Sequence, residues 1–202
     1  MKISRSLIFG CPLVAMTLSI SVARAAGPPI DVRALEKSGR AHRYEATFGE
    51  SSLPGGGAAI VVHANIATVR AIVSDFGSYE RFMNFRRSRV IRRDPKGTDV
   101  YLQVPILHGA AKLWAVVRFS PVQKAQNGEL IVGRKLDQGN VKEFQAEWRL
   151  RPIDESKTLL QLELLLVPTF PVPTTLLVRN LMESAEDGVK ASRVRAEAAR
   201  GQ

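Results

Sequence analysis

Residues 174–198, TTLLVRNLMESAEDGVKASRVRAEA, and residues 141–151, VKEFQAEWRLR, decide the fold between them. In the first, Leu177, Val178, Leu181, Met182, Ala185, Val189 and Ser192 recur at helical spacing on one stripe. Arg179, Glu183, Glu186, Lys190, Arg193 and Arg195 turn mostly away from it. In the second, Phe144, Ala146, Trp148 and Leu150 alternate with Glu143, Gln145, Glu147, Arg149 and Arg151, the period of a strand with one apolar face. A helix of about 25 residues is roughly 37 Å long, and an 11-residue strand reaches roughly 36 Å. Matched lengths let one helix lie along the concave face of a curved antiparallel sheet, with the charged side of the strand forming a solvated convex face.

Working outward, the same alternation returns in shorter runs. Strands are predicted over Arg43–Phe48, Ala59–Ala64, Arg89–Arg92, Asp99–Ile106, Lys112–Ser120, Glu129–Leu136 and Thr158–Val167. The last of these puts Leu160, Leu162, Leu164 and Leu166 on one face. Turn signals at Asp94-Pro95-Lys96-Gly97, Gln126-Asn127-Gly128, Asp137–Asn140 and Pro152–Ser156 separate the later strands into an antiparallel meander. Ser51–Gly57 reads as a glycine-rich turn between the first two strands. No lysine–serine or lysine–threonine pair closes it, and a strand follows rather than a helix, so it does not read as a phosphate loop. Two short helices are inserted early: Ile66–Ser74, capped by Asn65, and a second capped by Ser78. The class is therefore α+β, one domain.

The chain has 202 residues, a net charge of +10, 45% hydrophobic residues and a single cysteine. This excludes a disordered basic tail and a disulfide framework. Lys2 and Arg5, then an apolar run over Ser6–Val22, then Ala23-Arg24-Ala25, have the form of a secretory signal cut before Ala26. The run is barely long enough to span a bilayer and contains Pro12, which favours cleavage over an anchor. The division expected is a signal peptide over 1–25, a lead-in over 26–42 with a helical turn at Asp31–Lys37, and the folded domain over 43–202. Losing Lys2, Arg5 and Arg24 lowers the charge to +7. Export to a periplasmic or extracellular setting would also remove nucleic acid as an accessible partner.

Val69 with Asp75-Phe76-Gly77-Ser78-Tyr79-Glu80-Arg81-Phe82-Met83 resembles a stretch of START-like (SRPBCC) proteins of the polyketide cyclase and coenzyme Q binding protein group. Trp148-Arg149-Leu150-Arg151-Pro152, Thr158-Leu159-Leu160 and Pro171-Val172-Pro173 are similar to that group's closing strands and helix entry. The resemblance covers about Ala59 to Ala198. Asn84 departs from it where a proline commonly follows the methionine, and Ala146 where a glycine often stands. It implies a helix-grip fold that holds a hydrophobic molecule between sheet and helix, with chemistry performed by a minority of members.

The residues themselves offer little catalytic machinery. His42, His63 and His108 are isolated, and the only cysteine, Cys11, lies in the signal. No metal site, cofactor or nucleophilic elbow is expected. The expected ligand-binding surface comprises Val117, Phe119, Phe144, Trp148, Leu162, Leu164, Leu177 and Leu181 with Met182, and Asn180 orients a polar end. Within 113–120 two registers are open. Either Leu113, Ala115, Val117 and Phe119 face the helix, or Trp114, Val116 and Arg118 do. The first spares Arg118 a buried, unpaired charge. The second makes Arg118 a cavity contact for an acidic head, and Tyr101 and His108 are further candidates for polar contacts there. Arg86, Arg87, Arg89, Arg92 and Arg93 form the densest basic segment, whose functional reading is contact with an anionic membrane surface. The function expected is an exported protein that binds or carries a lipid, quinone or polyketide-like molecule. The alternative is a cyclase, dehydratase or isomerase acting in the same cavity.

Overall fold

A computed structural model describes residues 29–49, 51–83, 85–106 and 111–200. The expected signal segment 1–25 and His108 lie outside them. The elements are α1 (Val32–Ser38), β1 (His42–Ala46), β2 (Gly55–Val62), α2 (Ile66–Ser74), a 3-10 turn (Phe76–Ser78), α3 (Tyr79–Phe82), β3 (Arg87–Asp94), β4 (Gly97–Ile106), β5 (Ala111–Phe119), β6 (Gln123–Ala125), β7 (Gly128–Gly139), β8 (Val141–Pro152), β9 (Thr158–Pro168) and α4 (Thr174–Ala199). The strands form one antiparallel sheet in the order β1-β2-β9-β8-β7-β5-β4-β3, with β6 paired to β7 off that path. The meander from β3 to β9 is thus extended by β2 and β1, which pair onto its last strand. This is the helix-grip α+β fold.

Local chemistry sets the element ends. The Asn65 side chain accepts from the Thr68 N–H at 2.8 Å and starts α2. Asp31 caps α1 in the same way, and Gly39 ends it in the left-handed conformation, at φ 63°, where a Cβ would be strained. Ser78 does not cap a helix as expected; it closes the 3-10 turn, and α3 has only four residues.

The glycine-rich turn is also corrected. Gly55, Gly56 and Gly57 lie within β2 and are buried, because other groups occupy the space their side chains would fill. A Cβ on Gly56 would stand 2.2 Å from the Met182 backbone nitrogen and 2.4 Å from the Leu181 carbonyl carbon. One on Gly57 would meet the Tyr44 ring, and one on Gly55 the Phe48 ring. Glycine here lets the backbone of α4 approach the sheet directly. Accordingly α4 packs chiefly on β2 and β9, and the sheet curves away from it toward β4 and β5.

The convex face is not uniformly solvated. Glu147, expected on an open face, is 2% exposed, and it sits directly opposite Glu163 of β9, which is 3% exposed. Apolar groups shield the strands on either side. Leu35 of α1, with Ile30 and Val32, packs on Ala59, Val61 and Leu159, while Phe48 and Leu53 join Leu165 and Val167. Arg149 donates to Glu147 at 2.7 Å and to Glu163 at 3.4 Å, and the Tyr44 hydroxyl donates to Glu163 at 3.1 Å. Burial and the Glu163 charge raise the Tyr44 phenol above its ordinary range, so it remains a donor.

Candidate functional site: an apolar cavity under the long helix

On the concave side, the inward residues of β4, β5, β8 and β9 face α4 across a hollow. Its walls include Leu102 and Val104 of β4, Phe119 of β5, Phe144, Ala146 and Trp148 of β8, and Leu162, Leu164 and Leu166 of β9. Leu177, Asn180, Leu181, Ser184 and Gly188 of α4 form the roof, with Val172 ahead of it. The space free of protein atoms is about 970 Å³, open mouth included, of which about 80 Å³ is open to the centre of a water-sized sphere. The hollow is therefore narrow. Its more exposed side, running from Phe85 and Val104 past Val172 to Asn180 and Ser184, marks the way out.

The Asp75–Met83 stretch builds the end wall. Phe76, Tyr79, Phe82 and Phe85 fall at every third residue and pack on one another: Tyr79 lies edge-on to Phe76 and Phe82, each at 5.7 Å, and stacks with Phe85 at 5.7 Å. Phe76 stacks in turn on Phe119 at 4.3 Å. The Tyr79 hydroxyl donates to the Val73 carbonyl, so its polar tip is used within the wall. Burial raises the Tyr79 phenol well above its ordinary range, against the opposing donation of the Trp148 side chain. Arg195 of α4 stands over the Phe82 ring at 4.7 Å and reaches Asp75 at 3.3 Å, which ties this wall to the helix.

Most of the residues expected to bind ligand are brought together here. Phe119, Phe144, Trp148, Leu162, Leu164, Leu177, Asn180 and Leu181 all line the cavity. Val117 is buried on the same inner face but does not line the cavity, and neither does Met182, whose backbone nitrogen lies against Gly56 of β2. In β5, Leu113, Ala115, Val117 and Phe119 join the core, so Arg118 and Tyr101 face outward and are not cavity contacts. Arg118 instead donates to both oxygens of Asp99, at 2.6 and 2.8 Å, and this pairing lowers the Asp99 carboxyl below its usual range. An arginine on the apolar side would have had no such partner. Tyr101 stacks on Trp114 at 5.6 Å on the outer face.

Tyr79, Met83, Phe85, Leu102 and Val104 line the cavity without having been singled out as contacts. For Tyr79 and Phe85 the spacing of aromatics from Phe76 to Phe85 was a signal in the sequence; for Leu102 and Val104 it was the alternation within the predicted strand Asp99–Ile106. Among the described lining residues no side chain is a carboxylate, imidazole, amine or guanidinium; the polar groups are those of Tyr79, Trp148, Asn180 and Ser184. Among the described residues no three His, Cys, Asp or Glu gather as metal ligands.

A model of the family described as "Polyketide cyclase / dehydrase and lipid transport" matches residues 62–191. The chain belongs to this family. The match begins at the end of β2 and closes within α4, so it takes in the aromatic end wall and nearly all of the cavity lining. Comparison with curated proteins finds no match. Solved structures share the fold at low identity. A START superfamily protein from Mycobacterium smegmatis is 23% identical with a TM-score of 0.60, over 71% of this chain and 97% of that one. The STAR-related lipid transfer protein from Xanthomonas axonopodis is 16% identical with a TM-score of 0.65, over 77% and 93%. The lipid transfer and protein localization domain of human StarD13 is 14% identical with a TM-score of 0.63, over 81% and 92%. The family's START-like fold thus holds here despite the two sequence departures at Asn84 and Ala146.

Proposed function

We propose that this member of the polyketide cyclase and lipid transport family is an exported carrier that binds one hydrophobic molecule, of lipid, quinone or polyketide type, between α4 and the sheet. The observation that carries the reading is the cavity wall: hydrocarbon and aromatic rings, with Asn180 and Ser184 supplying polar side chains on the α4 side. Such a surface gains by excluding water and has few groups with which to do chemistry. The enclosed part of the hollow, about 80 Å³, is smaller than the about 300–1,000 Å³ of typical small-molecule pockets, so the wall must open to take a whole ligand. Its narrow interior means that side chains such as Met83 and Phe85 shift as a ligand enters.

Export is supported by the charged start, apolar run and Ala23-Arg24-Ala25 of the N-terminal segment. Among the described residues, the competing class, a cyclase or dehydratase, has Tyr79, Asn180 and Ser184 to work with, since Tyr101 and Arg118 face away. Tyr79 keeps its proton and donates it to the Val73 carbonyl, which favours binding over proton transfer.

Native mass spectrometry on protein recovered from its own compartment tests this. A bound apolar molecule is expected, absent from Leu181→Arg protein whose circular dichroism is unchanged. A chain recovered empty in repeated extractions overturns the proposal.

A further inference from the structure

We propose that the outer face of the β3 edge is a docking surface for an anionic lipid bilayer, centred on Arg86, Arg87 and Arg89. Its purpose rests on the carrier reading above; its geometry does not. β3 ends the sheet order, and its outward residues continue across the neighbouring strands. Arg87 stands opposite Gln103, which stands opposite Trp114; Arg89 stands opposite Tyr101. Arg86, Arg87, Arg89, Ile91, Tyr101 and Gln103 line one shallow groove.

Three features of this face point to a bilayer. First, its charge is uncompensated. Among the described residues Arg86, Arg87 and Arg89 have no acidic partner, whereas Arg92 is held by Asp94 at 2.5 Å and Arg118 by Asp99 at 2.6 Å. The nearby Glu80 carboxylate accepts the Ser88 N–H at 3.2 Å. The basic segment therefore divides: Arg92 is a paired residue, Arg93 stands opposite Thr98 outside the groove, and Arg86, Arg87 and Arg89 gather on the groove itself. Second, the cations surround apolar groups suited to the headgroup boundary. Tyr101 and Trp114 stack at 5.6 Å, and Ile91 is 56% exposed beside them.

Third, the surface backs directly onto the cavity. Phe85 is in the cavity wall and Arg86 follows it; Leu102 points into the cavity while Tyr101 and Gln103 on either side point to the groove. A molecule leaving by the half-exposed side at Phe85 and Val104 emerges beside these arginines. An apolar ligand is costly to release into water, so the exit is best placed against a lipid phase.

Vesicle sedimentation of the full chain tests the surface. Each arginine near a charged membrane contributes about fivefold in partitioning, so R86Q/R87Q/R89Q is expected to lower binding to phosphatidylglycerol-containing vesicles by roughly 100-fold. Exposed arginines elsewhere serve as the control: R33Q/R40Q should leave binding unchanged. Binding of the wild type should also collapse in about 1 M salt, where the Debye length is near 3 Å.

The proposal is overturned if the wild type prefers phosphatidylcholine vesicles or shows no preference, or if the triple variant partitions like the wild type. It is also overturned if the same arginines retain a single-stranded oligonucleotide while vesicles are ignored. Native mass spectrometry on the same samples separates the two readings. A triple variant that carries its ligand yet no longer docks supports both, whereas an empty wild type that still docks removes the carrier reading alone.

Discussion

Gly56 shows how much a single missing Cβ accomplishes. With hydrogen in place of a side chain, the backbone of β2 meets the backbone of α4 at Leu181 and Met182. Gly56→Ala puts a methyl group against atoms that cannot rotate aside, so the helix must lift or the strand must bend. A loss of about 2–3 kcal/mol is expected, read as a lower urea midpoint at unchanged m-value. Gly188→Ala is the contrast. Its added Cβ meets the end of the Leu162 side chain at 2.8 Å, a group that can move, so a loss under about 1 kcal/mol is expected. The local sequence Pro54-Gly55-Gly56-Gly57 carries every mark of a turn, and nothing nearby in the chain reveals the helix it serves. Arg118 is the opposite case. Alternation alone left two registers open for it, the cost of burying an unpaired charge favoured the outward one, and the structure supplies Asp99 as its partner on that side.

Among elements, α4 is the one whose face was most legible and whose margin was not. Leu177, Leu181, Ala185, Val189 and Ser192 are buried as their spacing requires. Glu186, read as turned away, is 8% exposed, because β1 brings Arg43 against the flank of the stripe. Burial would raise its carboxyl pKa, but Lys190, at 2.5 Å, and Arg43 outweigh it and hold the pKa below the usual range. A carboxyl with a lowered folded-state pKa contributes stability that is complete above its unfolded value and is lost as pH falls through the folded one. Urea midpoints should therefore drop as the pH falls below the ordinary glutamate range, and Glu186→Gln should flatten that part of the profile. An equally steep acid limb in the variant would show that other carboxylates govern it.

For the whole molecule, the decisive feature is a separation between two surfaces. α4, about 39 Å long, runs along strands of similar length but packs closely on the sheet chiefly at β2 and β9, with β1 at its flank. The far side, at β4, β5 and the aromatic end wall, stands back and leaves the hollow. A molecule that fills it binds the native state alone, so ligand at about 100 times its dissociation constant should add about 2.7 kcal/mol. For a chain of this size that is a rise of roughly 5–10 °C in Tm. Differential scanning fluorimetry with long-chain apolar compounds checks it, and Leu181→Arg should abolish the rise.

The sequence by itself determined what depends on neighbours along the chain. It held the alternation of the meander, the single long helix, the apolar inner faces and the Asp75–Met83 stretch that carries the family resemblance, and it left the register of β5 open between two choices. These follow from side chains pointing to alternate sides of a strand or to one side of a helix. Only the tertiary structure decided what depends on distances between remote segments. The glycines of β2 became a seat for α4, Glu147 and Glu163 became buried under flanking apolar clusters, and the core became a cavity rather than a solid. A pattern of apolar residues specifies which surfaces face each other; how far apart they stand is set by contacts such as Gly56 with Met182, between residues that no local period connects.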